Sequence, residues 1–196
     1  MLDPRIFVTV FGVIFIAELP DKTAVAALVL ATRYRAWPVF AGTALALIVQ
    51  SLVAVAAGGL LALLPARPVH VGAGLLFIVS AVFMWRGAAE ANSDSEVQVQ
   101  DTPQAKSFKT VFLKSFVVIF AAELGDLTQL GTAALAARFR APLTVFVSSA
   151  AALVSVGALA VFVGNRLSRL INPQRVQRVA AVIFGILGAG FVSGVI

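Results

Sequence analysis

The sequence predicts an all-α membrane protein whose six transmembrane helices form two inverted three-helix repeats. Three observations carry that prediction. The chain is 60% hydrophobic and 12% charged, with a mean hydropathy of +0.99, whereas soluble domains run at about 25% charged residues. Its apolar stretches are long enough to cross a bilayer and are separated by short basic and proline-containing breaks. A short acidic motif occurs twice at a constant offset of 105: Ala17, Glu18, Leu19, Asp21 and Thr23 recur as Ala122, Glu123, Leu124, Asp126 and Thr128. The offset extends to Arg33-Tyr34-Arg35-Ala36, matched by Arg138-Phe139-Arg140-Ala141.

A spanning helix needs roughly 20 predominantly apolar residues. The N-terminal residues run directly into such a stretch without a small-residue cleavage pattern, so 6–31 reads as a first span rather than a signal peptide. Arg33, Arg35 and Pro38 close it, and the second span covers 38–64. Pro65, Arg67 and Pro68 precede a third span over 69–86. Residues 88–107 are polar, poor in aromatics and mixed in charge, a composition that cannot bury enough apolar surface to fold alone. They read as a flexible linker between a first repeat, 1–87, and a second, 108–196. The second repeat holds spans over 109–136, 142–164 and 176–195, separated by Arg138, Arg140 and Pro142 and then by Arg166, Arg169, Pro173 and Arg175.

Three spans per repeat is an odd number, so the second copy enters the membrane from the opposite side. Inverted repeats of this kind place a substrate site near the midplane where they meet. Arg33, Arg35, Arg86, Lys106, Lys109, Arg166, Arg169 and Arg175 fall on one side, with Lys114 and Arg178 close by, and Arg5, Arg67, Arg138 and Arg140 on the other. The positive-inside rule makes the first side cytoplasmic. Both termini then lie outside and the linker inside, with the bacterial inner (plasma) membrane as the expected location. The basic residues sit singly or in pairs as helix flanks, so the net charge of +6 does not point to nucleic acid.

Of nine acids, Asp3 is terminal, and Glu90, Asp94, Glu96 and Asp101 are in the linker. The other four, Glu18, Asp21, Glu123 and Asp126, all belong to the repeated motif. An intramembrane carboxylate costs several kcal/mol, so it reads as functional by default. Glu and Asp three residues apart share a helix face, and two such pairs related by a twofold would place four carboxylates in one cavity. Thr23, Thr128 and Gln129 could add neutral oxygens. Pro20 and Gly125 loosen the helix between the acids, which membranes tolerate beside a cavity. Gln50 and Ser149 are supporting candidates. Ser51, Ser148 and Ser155 read as helix–helix hydrogen-bonding residues, and Gly42-x-x-x-Ala46 and Gly190-x-x-x-Gly194 as packing signals.

All these ligands are oxygens. Cysteine is absent, and the one histidine, His70, lies at the start of the third span. Oxygen-only sites suit Mg²⁺, Ca²⁺ and Mn²⁺. The same carboxylates can hold protons when the metal leaves, which fits cation/proton exchange. A purely structural ion-pair role would need more bases than Lys22, which either neutralises a carboxylate or snorkels to the interface. No nucleophile–base pair points to an enzyme.

At these motifs the chain resembles uncharacterised protein family 0016, the calcium/manganese cation antiporters that include bacterial manganese exporters and Golgi and chloroplast homologues. The family hallmark is a duplicated Glu-x-Gly-Asp-(Lys/Arg)-(Thr/Ser). Glu18-Leu19-Pro20-Asp21-Lys22-Thr23 departs at Pro20, and Glu123-Leu124-Gly125-Asp126-Leu127-Thr128-Gln129 departs at Leu127. The resemblance covers essentially the whole chain. It implies that Glu18, Asp21, Glu123 and Asp126, with Thr23, Thr128 and Gln129, bind Mn²⁺ or Ca²⁺ as transported substrate. It further implies export from the cytoplasm in exchange for protons, with no resident cofactor. An exporter of cationic amino acids or small organic cations, similar to the lysine exporter group, is the alternative. The expected partners are the lipid bilayer, the divalent cation and protons, and a homo-oligomer stays open.

Overall fold

A backbone buried in lipid must satisfy its own hydrogen bonds, which for a chain of this hydropathy means helices. The computed structural model describes residues 2–19, 22–61, 63, 66–90, 107–170 and 173–193, and every regular element among them is helical. There are eight: α1 (Pro4–Glu18), α2 (Lys22–Arg33), α3 (Ala36–Leu61), α4 (Ala66–Glu90), α5 (Phe108–Glu123), α6 (Leu127–Phe139), α7 (Pro142–Leu170) and α8 (Pro173–Ser193).

The segments expected to be continuous spans over 6–31 and 109–136 are each split in two, α1 with α2 and α5 with α6, and both breaks fall on the acidic motif. The apolar run continues across the break, so hydropathy alone could not show it. Two ends also move. Residues 88–90, assigned to the linker, continue α4, and the fifth span, expected to stop at 164, continues as helix to Leu170. An arginine ends an apolar run without ending a helix, because arginine is a good helix former. The rest of the linker, 91–106, lies outside the described residues.

Local chemistry sets several boundaries. Asp3 caps α1, its carboxylate accepting from the Arg5 N–H at 2.9 Å and the Ile6 N–H at 3.3 Å, with Pro4 in the first turn. At the end of α6, Arg140 adopts a left-handed conformation (φ 50°) and its N–H bonds the Ala136 carbonyl.

The packing exchanges partners between the halves. α1 and α2 both pack on α7, α5 and α6 both pack on α3, and α4 pairs with α8. Glycines permit these approaches. A Cβ at Gly42 would lie 2.3 Å from the Phe112 carbonyl oxygen on α5, and one at Gly58 would lie 2.3 Å from that of Ala133 on α6. Gly74 and Gly188 face each other across α4 and α8, each site's Cβ falling 2.8 Å from the other's carbonyl oxygen. Next to that crossing Phe77 and Phe184, both fully buried, meet edge to face at 5.0 Å.

The outer surface is apolar. Leu60, Leu75, Phe83, Leu113, Val117, Val182 and Ile186 are all exposed. Ala36–Leu61 and Pro142–Val163 are long and apolar enough to cross a bilayer, yet only 39% and 50% of their spanning windows are buried within the protein. A soluble core helix would be mostly buried, so these faces are made for lipid.

Candidate cation site

Each acidic motif sits where a helix stops. α5 ends at Glu123, Leu124 is extended (φ −62°, ψ 115°), and Gly125 takes φ +76°. That left-handed conformation favours glycine because a side chain would crowd the backbone. Asp126 then caps α6, its Oδ2 accepting from the Thr128 N–H at 3.4 Å and the Thr128 hydroxyl at 3.1 Å. The first motif is built differently. α1 ends with Leu19 still in helical conformation (φ −57°, ψ −35°). The residue matching Gly125 in the sequence is Pro20, and a proline ring does not admit the φ of +76° that Gly125 takes.

The breaks bring three carboxylates together. One oxygen each from Glu18, Glu123 and Asp126 lies within 4.8 Å of the others. Glu18 and Glu123 are 1% and 2% exposed, and Asp126 is half-buried. The Thr23 hydroxyl, on α2, donates to Glu123 Oε1 at the end of α5, joining the two motifs directly. At this depth the effective dielectric is low and carboxylate repulsion is strong. A cation coordinated among the three offsets it, and oxygen-only ligands of this kind are those that hard divalent cations take.

α3 forms the adjoining wall. Gln129 Oε1 accepts from the Gly125 N–H at 2.8 Å, while Gln129 Nε2 donates to Gln50 Oε1 at 2.6 Å. Gln50 Nε2 in turn donates to the Phe120 carbonyl at 2.8 Å. The second break is thereby tied to α3 through three bonds in series. A small cavity opens beside them, its walls including Ser51, Glu123, Thr128, Gln129 and Thr132.

Glu18, Glu123, Asp126, Thr23, Thr128 and Gln129 are thus on or beside one site. Asp21 and Pro20 lie outside the described residues, as do the side chains of Lys22 and His70. Ser149 is fully buried but bonds back to the Phe146 carbonyl of its own helix at 3.2 Å. Ser51, read from the sequence as a helix–helix hydrogen-bonding residue, lies on the cavity wall with its Oγ unpartnered among the described residues, and one serine in an apolar helix carries no pattern that would mark it out.

The model of the family described as "Divalent cation/proton antiporter GDT1" matches residues 6–92 and 111–194. GDT1-like protein 5 of Arabidopsis thaliana is 30% identical over 204 residues, covering 89% of each chain. Protein PAM71, chloroplastic, of the same plant is 28% identical over 97% of this chain and 57% of its own length. A GDT1-like protein of Synechocystis sp. is 34% identical over 63% of this chain and 66% of its own. No solved structure matches. The match gives no support to an exporter of amino acids. The chain belongs to the GDT1 family of divalent cation/proton antiporters, integral membrane transporters.

Proposed function

We propose that this protein exports Mn²⁺ or Ca²⁺ from the cytoplasm in exchange for protons, binding the ion where the two acidic motifs meet. The observation that carries this is the convergence of buried Glu18 and Glu123 with Asp126, drawn from both repeats, with one oxygen of each within 4.8 Å of the others. Asp21 completes a set of four carboxylates, since the sequence offset pairs it with Asp126. The hydroxyls of Thr23 and Thr128 contribute neutral oxygens. Gln129 uses one carbonyl lone pair on the Gly125 N–H and has a second to offer.

The ion sheds water as these oxygens replace its hydration shell, and the carboxylates must be deprotonated to take it. Protons arriving from the other side compete for the same oxygens and release it. One site serving two ligands alternately couples their movement without a separate proton path.

In this reading the eight helices make six crossings, α1 with α2 and α5 with α6 each forming one broken crossing. The exchanged packing, α1 and α2 on α7 and α5 and α6 on α3, is what an inverted pair of three-crossing repeats over 1–87 and 108–196 would produce. The basic loops place the linker in the cytoplasm and the termini outside, in the plasma membrane of a bacterial cell.

Purified protein in sealed liposomes, given a panel of divalent cations and an internal pH dye, tests the proposal. Mn²⁺ or Ca²⁺ flux should drive an opposite proton flux, and lysine should not compete. Lower pH on the binding side should weaken apparent metal affinity. Metal flux without proton movement refutes exchange, and no flux of either ion refutes the substrate assignment.

A further inference from the structure

Buried serines in helices ordinarily donate to a carbonyl three or four residues back. Buried Ser80 and Ser148 and half-buried Ser155 do so here, to Leu76, Thr144 and Ala151, at 2.7–2.8 Å. Ser51 does not. It is 1% exposed, and its Oγ has no hydrogen-bond partner among the described residues. Thr43 and Ser115 are also unpartnered, but Ser51 alone of these lines the cavity that Glu123 and Thr128 share. An unmet buried hydroxyl is destabilising, and an ion that takes its oxygen as a ligand relieves that.

We propose that Ser51 of α3 is a direct oxygen ligand of the transported divalent cation, so that the site is closed by a helix outside both acidic motifs. This deepens the cation-site reading above and rests on it. A hydroxyl adds coordination without adding charge. It helps complete the shell of a hard cation while leaving the carboxylates to set the proton competition. Gln50, its neighbour, ties α3 to Gln129 and to the Phe120 carbonyl, which fixes the height of Ser51 against Glu123.

The test exchanges a hard ligand for a soft one of nearly the same shape. The chain has no native cysteine, so Ser51→Cys introduces the sole thiol. Mn²⁺ uptake by wild type, Ser51→Cys and Ser51→Ala in liposomes is measured against rising Cd²⁺. If Ser51 ligates the ion, Ser51→Cys should be inhibited at Cd²⁺ concentrations at least about tenfold lower than wild type, because thiolate prefers soft cations. Ser51→Ala should raise the KM for Mn²⁺ several-fold with the maximal rate kept, and should show no gain in Cd²⁺ sensitivity. Cd²⁺ inhibition of Ser51→Cys equal to wild type overturns the proposal. Should that variant fail to fold, an unchanged KM in Ser51→Ala overturns it instead. Glu123→Gln run in parallel keeps the two readings apart: its loss of uptake upholds the carboxylate site whatever Ser51 does, and wild-type uptake would remove that site and with it the role of Ser51.

Discussion

Gly125 is the hinge point of the second acidic motif, and replacing it separates backbone strain from lost space. Its φ of +76° lies in the left-handed region, while a Cβ added there would meet nothing within 4 Å. Gly125→Ala therefore incurs only the conformational cost, about 1–2 kcal/mol. Gly125→Asn should lose less, since asparagine visits that region more readily. Gly125→Pro loses more on two counts. The ring forbids the observed φ, and the N–H that donates to Gln129 at 2.8 Å disappears, removing a bond with a net value of about 1 kcal/mol. A total near 3 kcal/mol follows for proline. In a chain of this length each kcal/mol moves the melting temperature by roughly 2–4 °C. Thermal unfolding of the purified protein, with Mn²⁺ uptake measured on the same preparations, should rank glycine, asparagine, alanine and proline in falling order. An alanine variant as stable as wild type, or a proline variant no worse than alanine, would refute the reasoning.

Three further outcomes follow. Glu18→Gln, Asp21→Asn, Glu123→Gln and Asp126→Asn should each abolish or sharply reduce divalent-cation uptake with expression largely kept, and wild-type rates in all four would remove the site. Gly58→Ala should destabilise by about 1–3 kcal/mol, because its Cβ would lie 2.3 Å from a backbone oxygen and 2.7 Å from the Ala136 Cβ. Gly59→Ala next to it, with open space around the new Cβ, should be neutral or better, and equal melting temperatures for the two variants would contradict the close α3–α6 approach. Single cysteines at Ser95 and Ile196 should label from opposite sides of the membrane with an impermeant reagent, and labelling of both from one side would end the inverted-repeat proposal.

Much of the helical layout was legible because the chemistry that ends a span is also written in the sequence. Pro38, Pro142 and Pro173 stand at or near helix starts, and Asp3 caps one. What stayed hidden was structure without a compositional edge. The motif breaks lie inside apolar runs, and only Pro20 and Gly125 hinted at them. The α4–α8 crossing runs through Gly74 and Gly188, whereas spacing had singled out Gly190 and Gly194. That crossing uses two glycines facing each other on different helices, which no pattern along one helix reports, whereas Gly42, flagged by its spacing to Ala46, does meet α5 closely. The acids of the site were visible as a repeated set. The link between Gln50 and Gln129 was not, since two glutamines 79 residues apart meet only through the packing of α6 on α3.

The two motifs are copies in sequence but not in bonding, and residue type alone accounts for much of the difference. The offset of 105 sets Gly125 against Pro20, Gln129 against Ala24 and Gln50 against Ser155. Pro20 has no N–H to give, Ala24 has no amide to receive it, and the Ser155 hydroxyl is already committed to the Ala151 carbonyl at 2.7 Å. The series of bonds that ties the second break to α3 therefore cannot form at the first. Among the described residues, the Thr23 hydroxyl crosses between the motifs to Glu123. The reverse bond is not made, because the Thr128 hydroxyl, its counterpart, is spent on Asp126 of its own break. The second break is thus anchored to α3, and Thr23 of the first repeat reaches it at Glu123. Neutralising Glu123 alters the acceptor through which Thr23 of the first repeat reaches the second, whereas neutralising Asp126 disturbs a cap within one.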